Sequence, residues 1–281
     1  MALIGAHVST AGGLSTAIER GEELGVTAIQ IFGASPRQWG VKEPNREEVI
    51  QFQESKRKSK IKAVFLHAAY LVNLASPDKA TWEKSIENLG AHYAIADAIK
   101  ADGLIFHVGS GKGSNRKEAI ARMVKGIKAV LKNLKTESRL IMENTAGGGD
   151  KLGSDLKEFG QIIKQVNSNR LRACFDTCHA LAGGTIAAYV PRNIKILFDQ
   201  WEKEVGFDQL VAIHANDSMA PYNSNRDRHE NLGRGEIGLA GFRALAKERR
   251  VNKLPWLLEV PGFDGLGPDK KNVKILKGLF K

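Results

Sequence analysis

The chain has 281 residues, 42% of them hydrophobic, with 42 Lys and Arg against 31 Asp and Glu, a formal net charge of +11. That length fits two average domains or one barrel-sized one, and a chain this apolar can bury a large core. The cationic excess favours a polyanionic partner or an acidic substrate, although a generally basic proteome gives the same number. Only two cysteines are present, Cys174 and Cys178. They exclude a disulfide framework and point to a reducing compartment. The opening residues, Met1-Ala2-Leu3-Ile4-Gly5-Ala6-His7, carry neither a basic n-region nor a long apolar core, so no secretory signal is expected. No apolar run approaches the ~20 residues of a membrane helix.

Taken in order, residues 3–6 form a short apolar run ending at His7, and helical spacing follows over 14–20. Residues 27–32 predict a second strand, whose loop carries Ser35-Pro36-Arg37-Gln38-Trp39, and 46–58 read as a polar-faced helix. A third strand over 62–66 ends at His67, and 77–99 read as a long helix. The fourth strand, 103–106, ends at His107 before a Gly-rich loop and a helix over 116–134. The fifth, 139–142, ends at Glu143, with a helix around 155–166. The sixth, 171–176, ends on Asp176, with His179 on the loop just beyond. The seventh, 209–213, ends at His214 and precedes a long polar loop holding Asp227-Arg228-His229 and a helix near 239–247. The eighth, 255–258, ends at Glu259.

Eight strands separated by helical stretches, with no break in composition, argue for a parallel sheet. In a chain of this length they argue for a single α/β domain over residues 1–281, a (β/α)8 TIM barrel. An open doubly wound sheet is the alternative, because periodicity does not show closure.

In a barrel every C-terminal strand end opens on one face, where active sites are built. Seven of the eight strands end on His, Asp or Glu: His7, His67, His107, Glu143, Asp176, His214 and Glu259. His179, Asp227 and His229 lie on loops of that face, and only His92 falls inside a helix. Each residue has an ordinary reading alone. A strand-end His is commonly a hydrogen-bonded packing residue, and an Asp after a strand is commonly a helix N-cap. Together they would repel or desolvate one another unless a cation compensated them. Nine such side chains suit two or three ions, and the nitrogen and oxygen donors suit Zn, Mn or Fe. Paired metals activate water and clamp phosphoryl oxygens, so a basic protein with such a site points to a nucleic-acid phosphodiesterase. A metal-dependent sugar isomerase uses similar donors but leaves the charge unexplained.

Other signals carry less. Gly233-Arg234-Gly235-Glu236-Ile237-Gly238 matches G-x-G-x-x-G but does not directly follow a strand, so a dinucleotide fold is not supported. Gly109-Ser110-Gly111-Lys112-Gly113 lacks the spacing of a phosphate loop. Lys56-Arg57-Lys58-Ser59-Lys60 reads as a solvated helix end, and the cysteines as small core residues.

Several motifs carry a resemblance across essentially the whole chain. Gly5-Ala6-His7-Val8-Ser9, the run His67-Ala68-Ala69-Tyr70-Leu71-Val72-Asn73-Leu74-Ala75, and Phe175-Asp176-Thr177-Cys178-His179 resemble the endonuclease IV family of apurinic/apyrimidinic endonucleases. Asp227-Arg228-His229-Glu230, His214-Ala215-Asn216-Asp217-Ser218 and Leu258-Glu259-Val260-Pro261 match it too. The resemblance implies a (β/α)8 barrel with three Zn2+ ions, with Mn2+ or Fe2+ as substitutes. His67, His107 and Glu143 would hold the first ion. Glu143 would bridge to a second, held also by Asp176, His214 and Glu259, and His179, Asp227 and His229 would hold the third. His7 would orient a ligand or a bound water.

The implied reaction is hydrolysis of the phosphodiester 5′ to an abasic site in double-stranded DNA, leaving a 3′-hydroxyl and a 5′-deoxyribose phosphate, with 3′-phosphodiesterase activity besides. Glu143 and Glu259 would be catalytic. Arg37, Tyr70 and Leu71 would wedge into the DNA, with Arg226 and Arg228 on phosphates. A monomer suffices, no membrane is involved, and a cytoplasmic, nucleoid-associated place in a bacterium or archaeon is implied. Two departures are visible, Ala69 and Val108 where the family typically has proline. Neither removes a ligand, and each frees backbone that proline would stiffen.

Overall fold

The computed structural model describes residues 2–134 and 136–280. Eight parallel strands close into a barrel: β1 (Ile4–His7), β2 (Ala28–Phe32), β3 (Ala63–His67), β4 (Gly103–His107), β5 (Arg139–Glu143), β6 (Leu171–Asp176), β7 (Leu210–His214) and, last in the chain, β10 (Trp256–Leu258). The eighth barrel strand has only three residues and forms the seam, pairing with β7 on one side and β1 on the other. Two short strands, β8 (Asp217–Ser218) and β9 (His229–Glu230), make an antiparallel ribbon above the barrel. The closure that periodicity left open is therefore present.

Nine helices accompany the barrel among the described residues: α1 (Thr16–Leu24), α2 (Arg46–Lys58), α3 (Lys79–Ala98), α4 (Arg116–Asn133), α5 (Leu156–Val166), α6 (Thr177–Ala182), α7 (Pro191–Glu204), α8 (Gly238–Ala246) and α9 (Lys270–Gly278). Their starts follow from local chemistry. Asn45 and Glu48 form a reciprocal capping box at α2. Asp78, Asn115, Asp155 and Asp269 cap α3, α4, α5 and α9 with their side chains. Pro191 opens α7, where its missing N–H costs nothing.

Strand parity positions the site. Side chains alternate across a strand, so one set faces the helices and the other the barrel interior. Val64 and Leu66, Leu104 and Phe106, and Leu140 and Met142 belong to the core under the helices. Ala28, Phe65, Ile105, Ile141, Cys174, Ala212 and Leu257 form a separate core inside the barrel. Gly5 lies in that inner row because a Cβ there would stand 2.3 Å from Leu257 Cδ2. Two residues further along each strand, with the same parity, come His7, Gln30, His67, His107, Glu143, Asp176, His214 and Glu259. Apolar side chains fill the barrel floor, and every strand then turns one polar side chain onto its C-terminal rim.

Candidate metal centre

The rim residues form one connected cluster. Glu143 is fully buried at its middle. Its Oε2 lies 3.4 Å from His67 Nε2 and 3.3 Å from His107 Nε2, while its Oε1 lies 2.9 Å from His214 Nδ1. Glu259 Oε2 lies 3.1 Å from the same His214 nitrogen. His179 Nε2 is 3.1 Å from Asp227 Oδ2, and His229 Nε2 is 3.4 Å from Asp227 Oδ1. Donor atoms of His67, His107 and Glu143 converge within 4.8 Å, as do those of Glu143, Asp176, His214 and Glu259. In the outer part the convergent sets are Asp176 with His179 and His229, and Cys178 with Asp227 and His229. Asp176 thus faces the outer group as well as the inner one.

Four of the rings are oriented by their other nitrogen. His67 Nδ1 donates to the Ala68 carbonyl at 2.8 Å and His179 Nδ1 to the Asn144 carbonyl at 2.9 Å. His229 Nδ1 donates to the Glu259 carbonyl at 3.2 Å. A carbonyl only accepts, so the tautomer is fixed and Nε2 carries the lone pair. His214 is reversed: its Nε2 donates to Gln30 Oε1 at 2.8 Å and its Nδ1 faces the carboxylates. His179 Nε2 and His229 Nε2 are buried and both face the Asp227 carboxylate. Inward-facing lone pairs beside four carboxylates fit a cation, and the nitrogen and oxygen donors suit zinc, manganese or iron.

The electrostatics agree. Burial works against the charge of Glu143, yet His214, His107 and His179 outweigh it and hold the carboxyl well below its usual range. Burial likewise opposes the charge of Glu259, and His214 and His7 overcome it. Burial disfavours a charged His179, but Asp176 and Asp227 push its pKa well up. His214 also rises well above normal against burial, through Cys174, Glu259 and Glu143. Without a cation the cluster must hold protons, and metal ions would displace them.

Three amide side chains in the centre do not stand out in the sequence. Gln30, wholly buried, accepts from His214 and donates to Glu259 Oε1 at 2.5 Å, and its Nε2 lies 3.0 Å from His7 Nδ1. Asn216 donates to Asp176 Oδ2 at 2.6 Å and accepts from Glu259 N at 2.8 Å. Asn144 accepts from Asp176 N at 2.6 Å and donates to its carbonyl at 3.1 Å. A polar Gln inside the apolar run of 28–32, in phase with His7, is the signal that would have exposed Gln30. The asparagines had none.

Two placements correct the sequence reading. His179 is in the first turn of α6, not on a loop. Asp176 ends β6 and caps α6 directly, accepting from His179 N at 2.7 Å, so strand and helix share a junction with no linker. His229 lies in β9 and is not on a free loop. Asp176 therefore caps α6 and faces the cluster at the same time. His7 stands 3.7 Å from Glu259 Oε1 and touches the cluster through Gln30.

A cleft of about 1150 Å³ opens above the cluster, lined among others by Tyr70, Pro36, Arg228 and Leu266. Tyr70 is 60% exposed, with its ring edge-on to Phe32 and its N–H donating to the Pro36 carbonyl, which joins the second and third loops. Leu71 is half-buried, while Arg37, Arg226 and Arg228 are exposed on the same face. Ala69 and Val108 are buried, and Val108 packs against Gly153, where a Cβ would stand 2.7 Å from its Cγ2.

A closed barrel with this cluster at its C-terminal rim defines a metal-dependent barrel enzyme. The model of the xylose isomerase-like TIM barrel family matches residues 18–279. "Probable endonuclease 4" of Halothermothrix orenii is 35% identical over 275 residues, covering 98% of this chain and 99% of that protein. The protein of the same name from Cenarchaeum symbiosum is 34% identical over 279 residues, 98% of this chain and 99% of its own. Endonuclease IV from Thermus thermophilus superposes with a TM-score of 0.86 at 30% identity, over 99% of this chain and 98% of that one. A D-tagatose 3-epimerase-like protein, at a TM-score of 0.73 and 17% identity, shares the fold. The chain belongs to the endonuclease IV family.

Proposed function

We propose that this chain is an apurinic/apyrimidinic endonuclease of base excision repair. It hydrolyses the phosphodiester 5′ to an abasic site, leaves a 3′-hydroxyl and a 5′-deoxyribose phosphate, and removes 3′ blocking groups by the same chemistry. Three zinc ions would be held by His67, His107 and Glu143, by Glu143, Asp176, His214 and Glu259, and by His179, Asp227 and His229. Bound there, the ions lower the pKa of water and neutralise charge on the phosphoryl oxygens. The carboxylate of Glu259, 16% exposed, is the one that faces both His214 and the cleft. With Oε1 fixed by Gln30, its Oε2 is placed to accept the proton of the attacking water, and Glu143 holds the imidazoles around it. Arg37, Tyr70 and Leu71 fill the gap left by the missing base, where stacking is weakest and extrusion costs least. Arg226 and Arg228 bind flanking phosphates. The protein works as a monomer on DNA inside the cell, and no helix among the described residues is long and apolar enough to cross a membrane.

The observation that carries this reading is the outer group, Asp227 and His229 on the β8–β9 ribbon beside His179, added to an inner cluster of the kind sugar isomerases also use. Incision of a duplex with one tetrahydrofuran abasic analogue tests it, because that analogue cannot undergo β-elimination. A chelator-sensitive cut leaving a 3′-hydroxyl is expected. No cut by metal-replete protein moves the reading to a sugar isomerase or epimerase.

A further inference from the structure

The Gly233-to-Gly238 stretch that matched a dinucleotide fingerprint wraps a carboxylate of its own chain. Asp217 is fully buried, and five backbone N–H groups converge on it. Ser218 and Ile237 each donate to Oδ1 at 2.9 Å. Gly233 donates to Oδ2 at 2.8 Å and Gly235 at 3.1 Å, while Gly238 N lies 3.4 Å from Oδ1 and 3.3 Å from Oδ2. Converging N–H groups of this kind make an anion-binding concavity, here filled from within. The glycines are required by the shape. Gly233 and Gly238 have φ of +81° and +66°, and a Cβ on Gly235 would stand 2.2 Å from the Ser218 carbonyl oxygen.

The nest sits at the root of the ribbon. Asp217 pairs across it with Glu230, and Ser218 with His229. Met219 N donates to the Arg228 carbonyl at 2.9 Å, and Glu236 N to the Ser218 carbonyl at 2.8 Å. Between the two strands the chain is mostly exposed, with Met219 at 59% and Tyr222 at 48%. Little apolar burial holds it, and besides its two ends it is fastened only where Asn223 N and Asn225 N donate to the Leu181 and Ala182 carbonyls of α6, at 3.0 and 2.8 Å among the described residues. Asp227 and His229 lie at one of those ends.

We propose that Asp217 is a positioning residue for Asp227 and His229. Its carboxylate locks the segment after β9 onto the segment that opens β8, and so fixes both side chains toward His179. The proposal rests on the reading that these three residues hold an ion. An amide in place of the carboxylate would turn an NH2 group toward N–H donors and leave part of the nest unsatisfied.

The experiment is a competitive zinc titration against a chromophoric chelator, with zinc per chain measured for the parent, Asp217→Asn and His229→Ala. Asp217→Asn is expected to weaken the outer zinc about 10–100-fold and to leave the inner zinc bound. Equal affinity in parent and Asp217→Asn overturns the positioning role. A parent that never binds the outer zinc, or a His229→Ala that keeps it, overturns the outer-site reading instead. A measurement on the parent alone covers the case in which Asp217→Asn does not fold. Coupling is reciprocal, so the amides of Gly233, Gly235 and Ile237 should exchange more slowly once the outer zinc is bound. Exchange that is identical with and without that zinc overturns the proposal.

Discussion

At the scale of single residues, the centre depends on side chains that carry no charge. Gln30 joins His214, Glu259 and His7, so one amide sets the tautomer of one ring and the orientation of one carboxylate. His92 is a contrasting case. It is fully buried in α3, and neither ring nitrogen has a hydrogen-bond partner among the described residues. Burial, helped by the charge of His67, pushes its pKa down to about 4 from 6.5. A histidine held neutral in the fold contributes stability above its unfolded value of 6.5 and loses it as pH falls toward about 4. In metal-stripped protein, that loss amounts to about 2 kcal/mol between pH 7 and pH 5. Urea unfolding of His92→Leu should show a pH dependence flatter by that amount, and an unchanged one would mean that His92 charges freely within the fold.

At the scale of elements, the damage recognition proposed for this chain rests on the join between the second and third loops. Tyr70 donates its N–H to the Pro36 carbonyl and sets its ring edge-on to Phe32, which ties the loop of Arg37 to that of Tyr70. Base–aromatic contacts are worth about 1–3 kcal/mol each. Tyr70→Ala should therefore weaken binding of abasic duplex about tenfold, with binding of intact duplex little changed, as read by fluorescence anisotropy. Equal losses on both would reduce Tyr70 to a packing residue. The strands were legible because seven of the eight apolar runs end on a polar residue of fixed parity, and the long helices because their apolar spacing is regular. The short α6 was not, since six residues are too few for periodicity and Asp176 serves strand and helix at once. The β8–β9 ribbon has two residues per strand, fewer than an alternating pattern needs. The nest of glycines was read by its spelling, whereas its role depends on Asp217, 16 residues from its first glycine.

At the scale of the molecule, the formal charge of +11 acts on the whole of a DNA duplex. Each phosphate neutralised releases counterions, and a footprint of about six phosphates loses roughly 10³-fold in affinity between 50 and 200 mM salt. Equilibrium binding across that range should show a slope of this order, and a flat response would favour a small neutral sugar. The candidate donors were legible because seven strands end on His, Asp or Glu at one rim. Which donors group together was not, because Asp176 lies between the inner and outer groups in space and not in sequence.

The seam strand has a consequence for biosynthesis. β10 and Glu259 are synthesised after every other barrel strand, yet they close the barrel between its first and seventh strands. A nascent or prematurely terminated chain that stops before residue 256 lacks both the closing strand and Glu259. Such a chain leaves β1 and β7 without their shared neighbour, so the rim that carries the cluster is expected to stay open.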